Sequence, residues 1–269
     1  GFKDKFLCDG TPENIIKLAD DLVSCQVPEI QEANASSSKE EKKKYEHAKK
    51  LKTIVTEVQK HGHTKSCRKY NGKCRYGFPK FPCISTILAE PRQLKEFVSK
   101  KEEKENLETD EKNAEILGNA KILLEDDDLE KLIEREVITM WLLEERKEPT
   151  NDGNRVKKII REVNAPFSTL KDPLNGEILD SIINKVIDKL NEKNIKLAFD
   201  EKTEMDAFCL GLLKVSYKRY EQALKTSKNG KILFMKRRIR DRMINNYNDE
   251  MLYAWNANMD IQLALDIYA

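Results

Sequence analysis

Residues 61–74 have the sequence HGHTKSCRKYNGKC, which contains two of the three histidines and two of the six cysteines in the chain. His61, His63, Cys67 and Cys74 are therefore candidate ligands within one short segment. Structural zinc sites use four tetrahedral nitrogen and sulfur ligands, all supplied by the protein. These four residues meet that requirement, so the sequence predicts one structural Zn²⁺ ion in this segment.

The loop between the two cysteines supports this prediction. It contains Asn71-Gly72, a dipeptide suited to tight turns, so the two thiols can approach each other. The segment is also rich in Lys and Arg, and zinc ligation can supply about 10 kcal/mol where apolar burial cannot. Cys83 is a reserve ligand, separated from the others by the stiff stretch 78–82. The alternative is that these are ordinary thiols beside surface histidines.

A competing interpretation treats His61-Gly62-His63 as the paired-histidine motif of a DNA nickase that holds magnesium or manganese. That motif has a bulky apolar middle residue on a strand, whereas the middle residue here is glycine. The preceding residues Leu51, Ile54, Val55 and Val58 have helical spacing, and thiolates prefer zinc to magnesium. We therefore favour the structural zinc site.

Apolar spacing predicts a fold that is mainly α with a small β component, a helical arrangement around a compact zinc site. Helices are expected at 11–25, up to residue 60, within 124–147, at 178–193 and in 207–224, with a break near Gly211. Strands are expected at 231–235 and 258–266, the second from alternation of apolar and polar residues. We expect 34–44 to be a mobile linker. Whether residues 100–127 are ordered is left open.

The chain divides into four segments by composition. These are N-terminal helices and a linker at 1–60, the zinc-binding segment at 61–90, an acidic and amphipathic helical region at 91–200, and a basic helix-hairpin-helix-strand region at 201–269.

Composition restricts the class of protein. Charged residues make up 36% of the chain, yet the net charge is only +2, so binding to nucleic acid requires local clusters of cations. The sequence has no secretory signal at its start and no apolar run long enough to span a membrane, so we expect an intracellular protein without disulfides. Cys8, Cys25 and Cys209 are then packed small residues. The ends of the sequence suggest a fragment of a longer protein.

Residues 217–242 form a basic ribbon, with ten Lys or Arg against two acids, a local charge of +8. Cations interleaved with aromatic residues are typical of surfaces that bind single-stranded nucleic acid. An alternative is that these cations are solvated or pair with the acidic helices of 102–147. Trp255 is expected in the core. The candidate DNA-binding residues are Arg68, Lys69, Arg75, Lys236, Arg237, Arg238, Arg240, Arg242 and Tyr247.

Two blocks resemble a known family. The stretch HGHTKSCRKYNGKCRYGFPKFPCISTILAEP at 61–91 is similar to a His-Thr-x-x-Cys, then Cys-Arg-Phe-x-Phe-Pro, block of Helitron transposases and their helicase-annotated relatives. The second block, YEQALKTSKNGKILFMKRRIRDRMINNYNDEMLYAWNANMDIQLALDIYA at 220–269, resembles their Tyr-x-x-Ala-Leu, Asn-x-Tyr-Asn, Leu-x-x-Trp and Ala-Asn-x-Asp-Ile-Gln motifs. The terminal Leu-Asp-x-Tyr-Ala departs from the family's Leu-Asp-Pro-Tyr-Ala at Ile267.

The resemblance implies a part of a rolling-circle (Rep) nuclease joined to an ATP-dependent helicase, with the C-terminal strands belonging to the nuclease sheet. The nuclease histidines would precede Gly1 and the catalytic tyrosines would follow Ala269, so no residue is assigned as catalytic and Tyr268 is not a nucleophile. No phosphate loop occurs in the chain, so the ATPase is expected elsewhere. The implied partners are single-stranded DNA and the other nuclease and helicase parts of the polypeptide, in the nucleus.

Two functions follow from these observations. The favoured one is a DNA-binding, zinc-stabilised part of a Helitron-like transposase that positions single-stranded DNA for DNA recombination. The alternative is a non-catalytic helical scaffold that docks the helicase part or a second protomer. The basic residues cluster in the two family-like blocks, which favours DNA binding.

Overall fold

The computed structural model describes residues 11–30, 38–68, 72–91, 100–144, 151–167, 175–227 and 230–262, without the side chains of 144, 151–153 and 227. The chain forms two compact units. The first comprises Gly1–Glu125 and Lys218–Ala269, and the second comprises Asp126–Tyr217. The zinc-binding segment predicted at 61–90 thus shares a unit with residues at both ends of the chain.

The described chain is mainly helical with a small sheet, which confirms the predicted fold class. In the first unit the elements are α1 (Pro12–Leu22), α2 (Lys39–Ile54), β1 (Ile87–Pro91), α3 (Lys100–Leu124), β2 (Thr226–Ser227), β3 (Ile232–Phe234) and α9 (Asp249–Trp255). In the second unit they are α4 (Leu129–Glu144), α5 (Asn151–Asn164), α6 (Gly176–Glu192) and α7 (Glu201–Asp206). Helix α8 (Tyr217–Lys225) follows them, and no described helix is long and apolar enough to cross a bilayer.

Helix α2 begins inside the stretch that we expected to be a mobile linker, so that prediction was wrong for residues 38–44. Ser38 caps the helix: its hydroxyl accepts a hydrogen bond from the Glu41 N–H, and the Glu41 carboxylate accepts one from the Ser38 N–H. This reciprocal pair satisfies N–H groups that the first helical turn leaves free, which favours helix over disorder. Residues 34–37 lie outside the described part of the chain.

The sheet of the first unit has the strand order β2-β1-β3. Strand β1 pairs antiparallel with β3, with Ile87 opposite Phe234, and parallel with the short β2. The strand expected at 231–235 is therefore confirmed. The strand expected at 258–266 is absent from residues 258–262, which form a loop. In this loop the Ile261 N–H donates to the Asn246 carbonyl. Residues 263–266 lie outside the described part of the chain.

Part of the first unit's core lies between α2 and α9. Leu51, Ile54 and Val55 pack with Tyr247 and Leu252, all of them buried. Trp255, expected in the core, is instead 70% exposed. Trp255 is the last residue of α9, and the chain leaves the helix at Asn256, which has a φ of +52°.

The second unit is built from amphipathic helices. Buried side chains of α4, α5 and α6 form one apolar cluster, with Ile138, Ile159, Ile182 and Val186 among its members. The apolar faces predicted within 124–147 and 178–193 therefore face a core. Helix α7 continues as a π-helical turn, Ala207–Leu212, and the chain bends before α8, as the predicted break near Gly211 required.

Candidate metal centre

The four predicted ligands lie together. The ligand atoms of His61, His63, Cys67 and Cys74 all lie within 4.8 Å of one another, so this group can hold a metal ion. The Cys74 sulfur is 3.3 Å from Nε2 of His61, and the Cys67 sulfur is 3.7 Å from Nδ1 of His63. The predicted ligand set is therefore confirmed as a spatial cluster.

The first histidine is positioned by long-range backbone pairing. Helix α2 ends in a π-helical turn, Val55–Gln59, and the chain then runs beside the segment near residue 244. Lys60 forms a bridge with Ile244, and the His61 N–H donates to the Met243 carbonyl at 2.7 Å. The His61 ring also stacks on Phe78, with ring centroids 4.4 Å apart. Both contacts restrict the orientation of this imidazole.

A tight turn positions the first cysteine. The Cys67 N–H donates to the Thr64 hydroxyl, and the Thr64 N–H donates to the Cys67 sulfur at 3.2 Å. The Arg75 N–H donates to the Cys67 carbonyl, which brings the second cysteine alongside the first. Gly72 has a φ of +67°, a conformation that glycine adopts readily, as the predicted turn at Asn71-Gly72 requires. Asn71 itself lies outside the described residues.

The electrostatics suit the protonation states that metal binding needs. Burial raises the pKa of the Cys67 thiol, but hydrogen bonds from Thr64 and Cys74 and the charge of Arg68 outweigh it, so this pKa lies below its ordinary value. Burial lowers the pKa of His61, and nearby cationic side chains lower it further. Metal ligation requires thiolates and neutral imidazoles, and both shifts favour those forms.

Two neighbouring residues that sequence reasoning missed support the site. The Thr64 N–H donates to the Cys67 sulfur, and the Cys67 thiol donates to the Thr64 carbonyl. Thr64 lies between the ligands in the sequence, and this position could have identified it. Lys121 of α3 donates through Nζ to the Gly77 carbonyl at 2.8 Å and also to the Pro79 carbonyl. Lys121 thereby ties the loop after Cys74 to a helix distant in sequence, and no local pattern could have identified it.

The reserve ligand Cys83 is not part of this cluster. It is 1% exposed, pairs through its backbone with Arg237, and donates its thiol hydrogen to the Met235 carbonyl at 3.1 Å. Burial raises the pKa of Cys83 to about 12, so it remains a neutral thiol. Cys25 and Cys209 are also buried, as expected of packed small residues, and Cys8 lies outside the described residues.

The structure corrects the role expected for Arg237, Arg238 and Tyr247, because all three are buried. The Arg237 guanidinium donates to the carbonyls of Cys25, Asp241 and Ile244. Arg238 forms an ion pair with Asp241, with Nε 2.5 Å from Oδ2. The Tyr247 hydroxyl donates to the Gln26 carbonyl at 2.6 Å. These side chains make contacts within the protein that hold the fold together. Burial also raises the pKa of Tyr247 above its ordinary value.

The other predicted DNA-binding residues differ in their exposure and in their contacts. Arg68 pairs with Glu125 at 3.0 Å, and Arg242 donates to the Leu124 carbonyl at 2.9 Å. Arg240 is exposed and pairs with Glu29, also exposed, at 2.7 Å. Arg75 and Lys236 are exposed as well, and Lys69 lies outside the described residues. The ion pair of Arg68 with Glu125 matches the alternative in which the cations pair with acidic helices, whereas the hydrogen bond from Arg242 goes to the backbone carbonyl of Leu124.

No protein-family model, no curated protein and no solved structure matches the chain.

Proposed function

We propose that the chain is a DNA-binding, zinc-stabilised part of a Helitron-like transposase, which positions single-stranded DNA for catalytic groups carried elsewhere in the polypeptide. The observation that carries this proposal is the four-ligand cluster, which lies in a segment with exposed cationic and aromatic side chains. The resemblance of the two sequence blocks supplies the family and the parent activity. Within this proposal the chain itself neither cuts DNA nor hydrolyses ATP.

Zinc is the ion that the donor set fits best. With metal–ligand distances of about 2.0–2.3 Å, neighbouring ligand atoms of a tetrahedral zinc site lie roughly 3.3–3.8 Å apart. The two nitrogen–sulfur distances, 3.3 Å and 3.7 Å, fall within that range. Thiolate and imidazole ligands favour zinc over magnesium or calcium. Four protein ligands also leave no open coordination position, as in structural zinc sites.

The zinc ion would stabilise a segment with little core of its own. Phe78 and Cys67 are buried, whereas Lys65, Lys73 and Arg75 are exposed. Zinc binding contributes on the order of 10 kcal/mol of apparent free energy in small metal-dependent folds. Here it would join the end of α2 to the loop that carries the exposed cations.

Burial of Arg237, Arg238 and Tyr247 moves the proposed DNA surface to the metal segment. Lys65, Lys73 and Arg75 are exposed there, and Tyr76 is 49% exposed. The Arg75 guanidinium lies 4.6 Å from the centre of the Tyr76 ring. Cations next to an accessible aromatic ring can contact phosphates while the ring accepts a base.

Binding of a labelled oligothymidylate tests this surface. We expect zinc-loaded protein to lose affinity steeply between about 50 mM and about 200 mM salt, because each neutralised phosphate releases a counterion. Changing Lys65 and Lys73 to Gln should reduce the salt slope by roughly 1.4, about 0.7 per phosphate contact for a single strand.

The matched control is the double variant Lys17→Gln and Lys101→Gln, which removes two exposed lysines from helices of the same unit. This control should keep the full slope, and zinc content should be equal in all three proteins. Equal slopes for both double variants would contradict the proposed surface.

A second candidate function is the helical scaffold. One observation favours it: several arginines of the basic ribbon make contacts within the protein. Arg237 and Arg238 are buried, and Arg242 donates to the carbonyl of Leu124 at the end of α3. A scaffold needs zinc for stability but no DNA affinity. Zinc-loaded protein without salt-dependent oligonucleotide binding would make this the better interpretation.

A further inference from the structure

The first unit has a cleft that the metal centre does not use. Two cavities of about 320 Å³ and 260 Å³ share five lining residues, and together they are called the cleft. Single cavities that hold small molecules range from roughly 300 to 1,000 Å³, so this cleft suits one small ligand. The shared residues are Lys80, Ile232, Leu233, Met235 and Asn246.

One wall of the cleft is strand β3, and the other is the loop that follows the metal ligands. Leu233 and Phe234 lie on the strand side, and Gly77, Lys80 and Phe81 lie on the loop side. The rings of Phe81 and Phe234 meet edge to face, with centroids 6.1 Å apart. Together with Met235 these rings provide an apolar surface for a flat aromatic group.

Positive charge surrounds the apolar surface. The described lining residues include the cations Lys80, Lys231 and Arg237 and a single acid, Asp260, so the lining has a net charge of +2. The Asp260 carboxylate accepts a hydrogen bond from the Gln262 amide at 2.8 Å. The Glu90 carboxylate, 3.8 Å from Lys231, offsets part of this charge, and the remaining positive charge favours an anionic ligand.

The two lysines differ from the arginine in what they can do. Arg237 directs its donors at protein carbonyls and at the Asn246 side chain, so it contributes charge but does not move. Lys80 donates to the Tyr76 carbonyl at 2.8 Å, and an ammonium group has three hydrogens to donate. Lys231 lies 3.8 Å from Glu90, which is a loose, partly exposed pair. Each ammonium group has three hydrogens, more than these contacts use, so each has donors for a phosphate.

We infer that this cleft binds one nucleotide, with its phosphate between Lys80 and Lys231 and its base against Phe81 and Phe234. The inference rests on the proposed single-strand binding and adds a second contact point to it. The ligand chemistry is a nucleoside monophosphate, which either a nucleotide within a strand or a free nucleotide supplies. A purely apolar ligand would make no use of the positive charge of the lining, and inorganic phosphate would leave the aromatic rings unused.

Methyl NMR of zinc-loaded protein labelled at methionine tests the site directly. Met235 lines the cleft, Met251 is exposed on α9, and Met140 and Met205 belong to the second unit. The probes are an oligothymidylate of about ten nucleotides, thymidine 5′-monophosphate and inorganic phosphate. We expect the oligonucleotide to shift the Met235 signal while the signals of Met140 and Met205 stay in place.

The three probes separate the sources of the ligand. A Met235 shift with the oligonucleotide alone identifies a nucleotide held within a strand, and an additional shift with the monophosphate identifies a site that also takes free nucleotides. A shift with inorganic phosphate alone would overturn the inference, because the aromatic wall would then have no role.

Variants test the two halves of the ligand separately. Lys231→Gln should weaken oligonucleotide binding about threefold to tenfold and flatten its salt slope by roughly 0.7. Phe81→Leu should weaken binding about tenfold and leave the salt slope unchanged, because stacking releases no counterions. Lys80→Gln should act like Lys231→Gln, with zinc content as a check on the neighbouring metal site. Lys17→Gln is the control.

The outcomes separate this inference from the proposed function. Salt-dependent oligonucleotide binding with a fixed Met235 signal and unchanged affinity in the Lys231 and Phe81 variants would overturn the cleft and leave the DNA-binding proposal standing. A shift of Met251 without Met235 would indicate contact on α9 and would overturn it as well. Zinc-loaded protein that binds no oligonucleotide would overturn both.

Discussion

Substitution of Arg238 by methionine should destabilise the first unit strongly, whereas the same substitution at Arg240 should not. The Arg238 and Asp241 side chains are 3% and 1% exposed, and their ion pair has an Nε–Oδ2 distance of 2.5 Å. Arg240 is 51% exposed, and its partner Glu29 is 72% exposed. The two arginines are two positions apart in the chain, so they form a matched pair.

The expected magnitudes follow from burial. Removing Arg238 leaves the Asp241 carboxylate buried, with the Val27 N–H as a remaining donor at 3.1 Å. Breaking a buried ion pair from one side costs about 3–5 kcal/mol, which corresponds to a fall in Tm of roughly 6–20 °C for a unit of this size. Loss of an exposed pair costs about 0–1 kcal/mol. Arg240→Met should therefore change the Tm by only a few degrees.

Urea and thermal unfolding of zinc-loaded protein measure both effects, and methionine methyl signals assign the transition to a unit. Met235 reports on the first unit, and Met205 reports on the second. The double variant Arg238→Met with Asp241→Leu should recover most of the lost stability, because it removes both buried charges. Equal and small losses for Arg238→Met and Arg240→Met would refute the structural role given to Arg238.

Three further predictions concern thiols and close packing. Chelation of the metal should make the two ligand thiols reactive, so a thiol reagent should titrate two more cysteines per chain than before; no increase would contradict the ligand set. The pKa of Cys83 is raised from 9.0 to about 12 by burial, so its contribution to stability is complete below about pH 9 and is lost as the pH rises toward 12. The urea midpoint of the unchanged protein should therefore fall between pH 9 and pH 12, and the midpoint of the Cys83→Ala variant should fall less. If the two midpoints changed with pH in parallel, this thiol would not be the cause. A methyl added at Gly211 would lie 2.8 Å from the Cβ of Glu136, so Gly211→Ala should cost about 1–3 kcal/mol by calorimetry, whereas Gly118→Ala, with open space around it, should not destabilise.

The metal cluster was predictable because its geometry is largely local. His61, His63, Cys67 and Cys74 are close in sequence, and a turn with a glycine is enough to bring them together. The residue types also pointed to zinc, because few functions other than zinc ligation need two histidines and two cysteines at such short spacing. The long-range contacts that orient His61, from Met243 and Phe78, could not be predicted.

The amphipathic helices were predictable for a similar reason, since their periodicity is an internal property of each segment. The apolar faces predicted in α4 and α6 lie in one core with α5. The mobile linker predicted at 34–44 was wrong for residues 38–44, because polar composition does not account for helix capping. Ser38 and Glu41 form a capping box whose spacing is visible in the sequence.

The arginines show what sequence patterns could not determine. A run of cations resembles a phosphate-binding surface whether its members face solvent or the interior. The burial of Arg238 depends on Asp241 and on the loop at Val27, which is more than two hundred positions away in the chain. The prediction for Trp255 was wrong in the opposite direction: burial was expected on a helical face shared with Met251 and Leu252, but Trp255 is 70% exposed and Met251 is 59% exposed.

Zinc content per chain tests the central claim most directly. We expect one zinc ion per purified chain by elemental analysis, lost in Cys67→Ser and in Cys74→Ser and retained in Cys83→Ser, because that thiol lies outside the cluster. Loss of the metal should unfold residues 61–83 and leave the helices of the second unit folded. Purified protein without zinc, or zinc retained in both ligand variants, would contradict the assignment of His61, His63, Cys67 and Cys74 as a zinc centre.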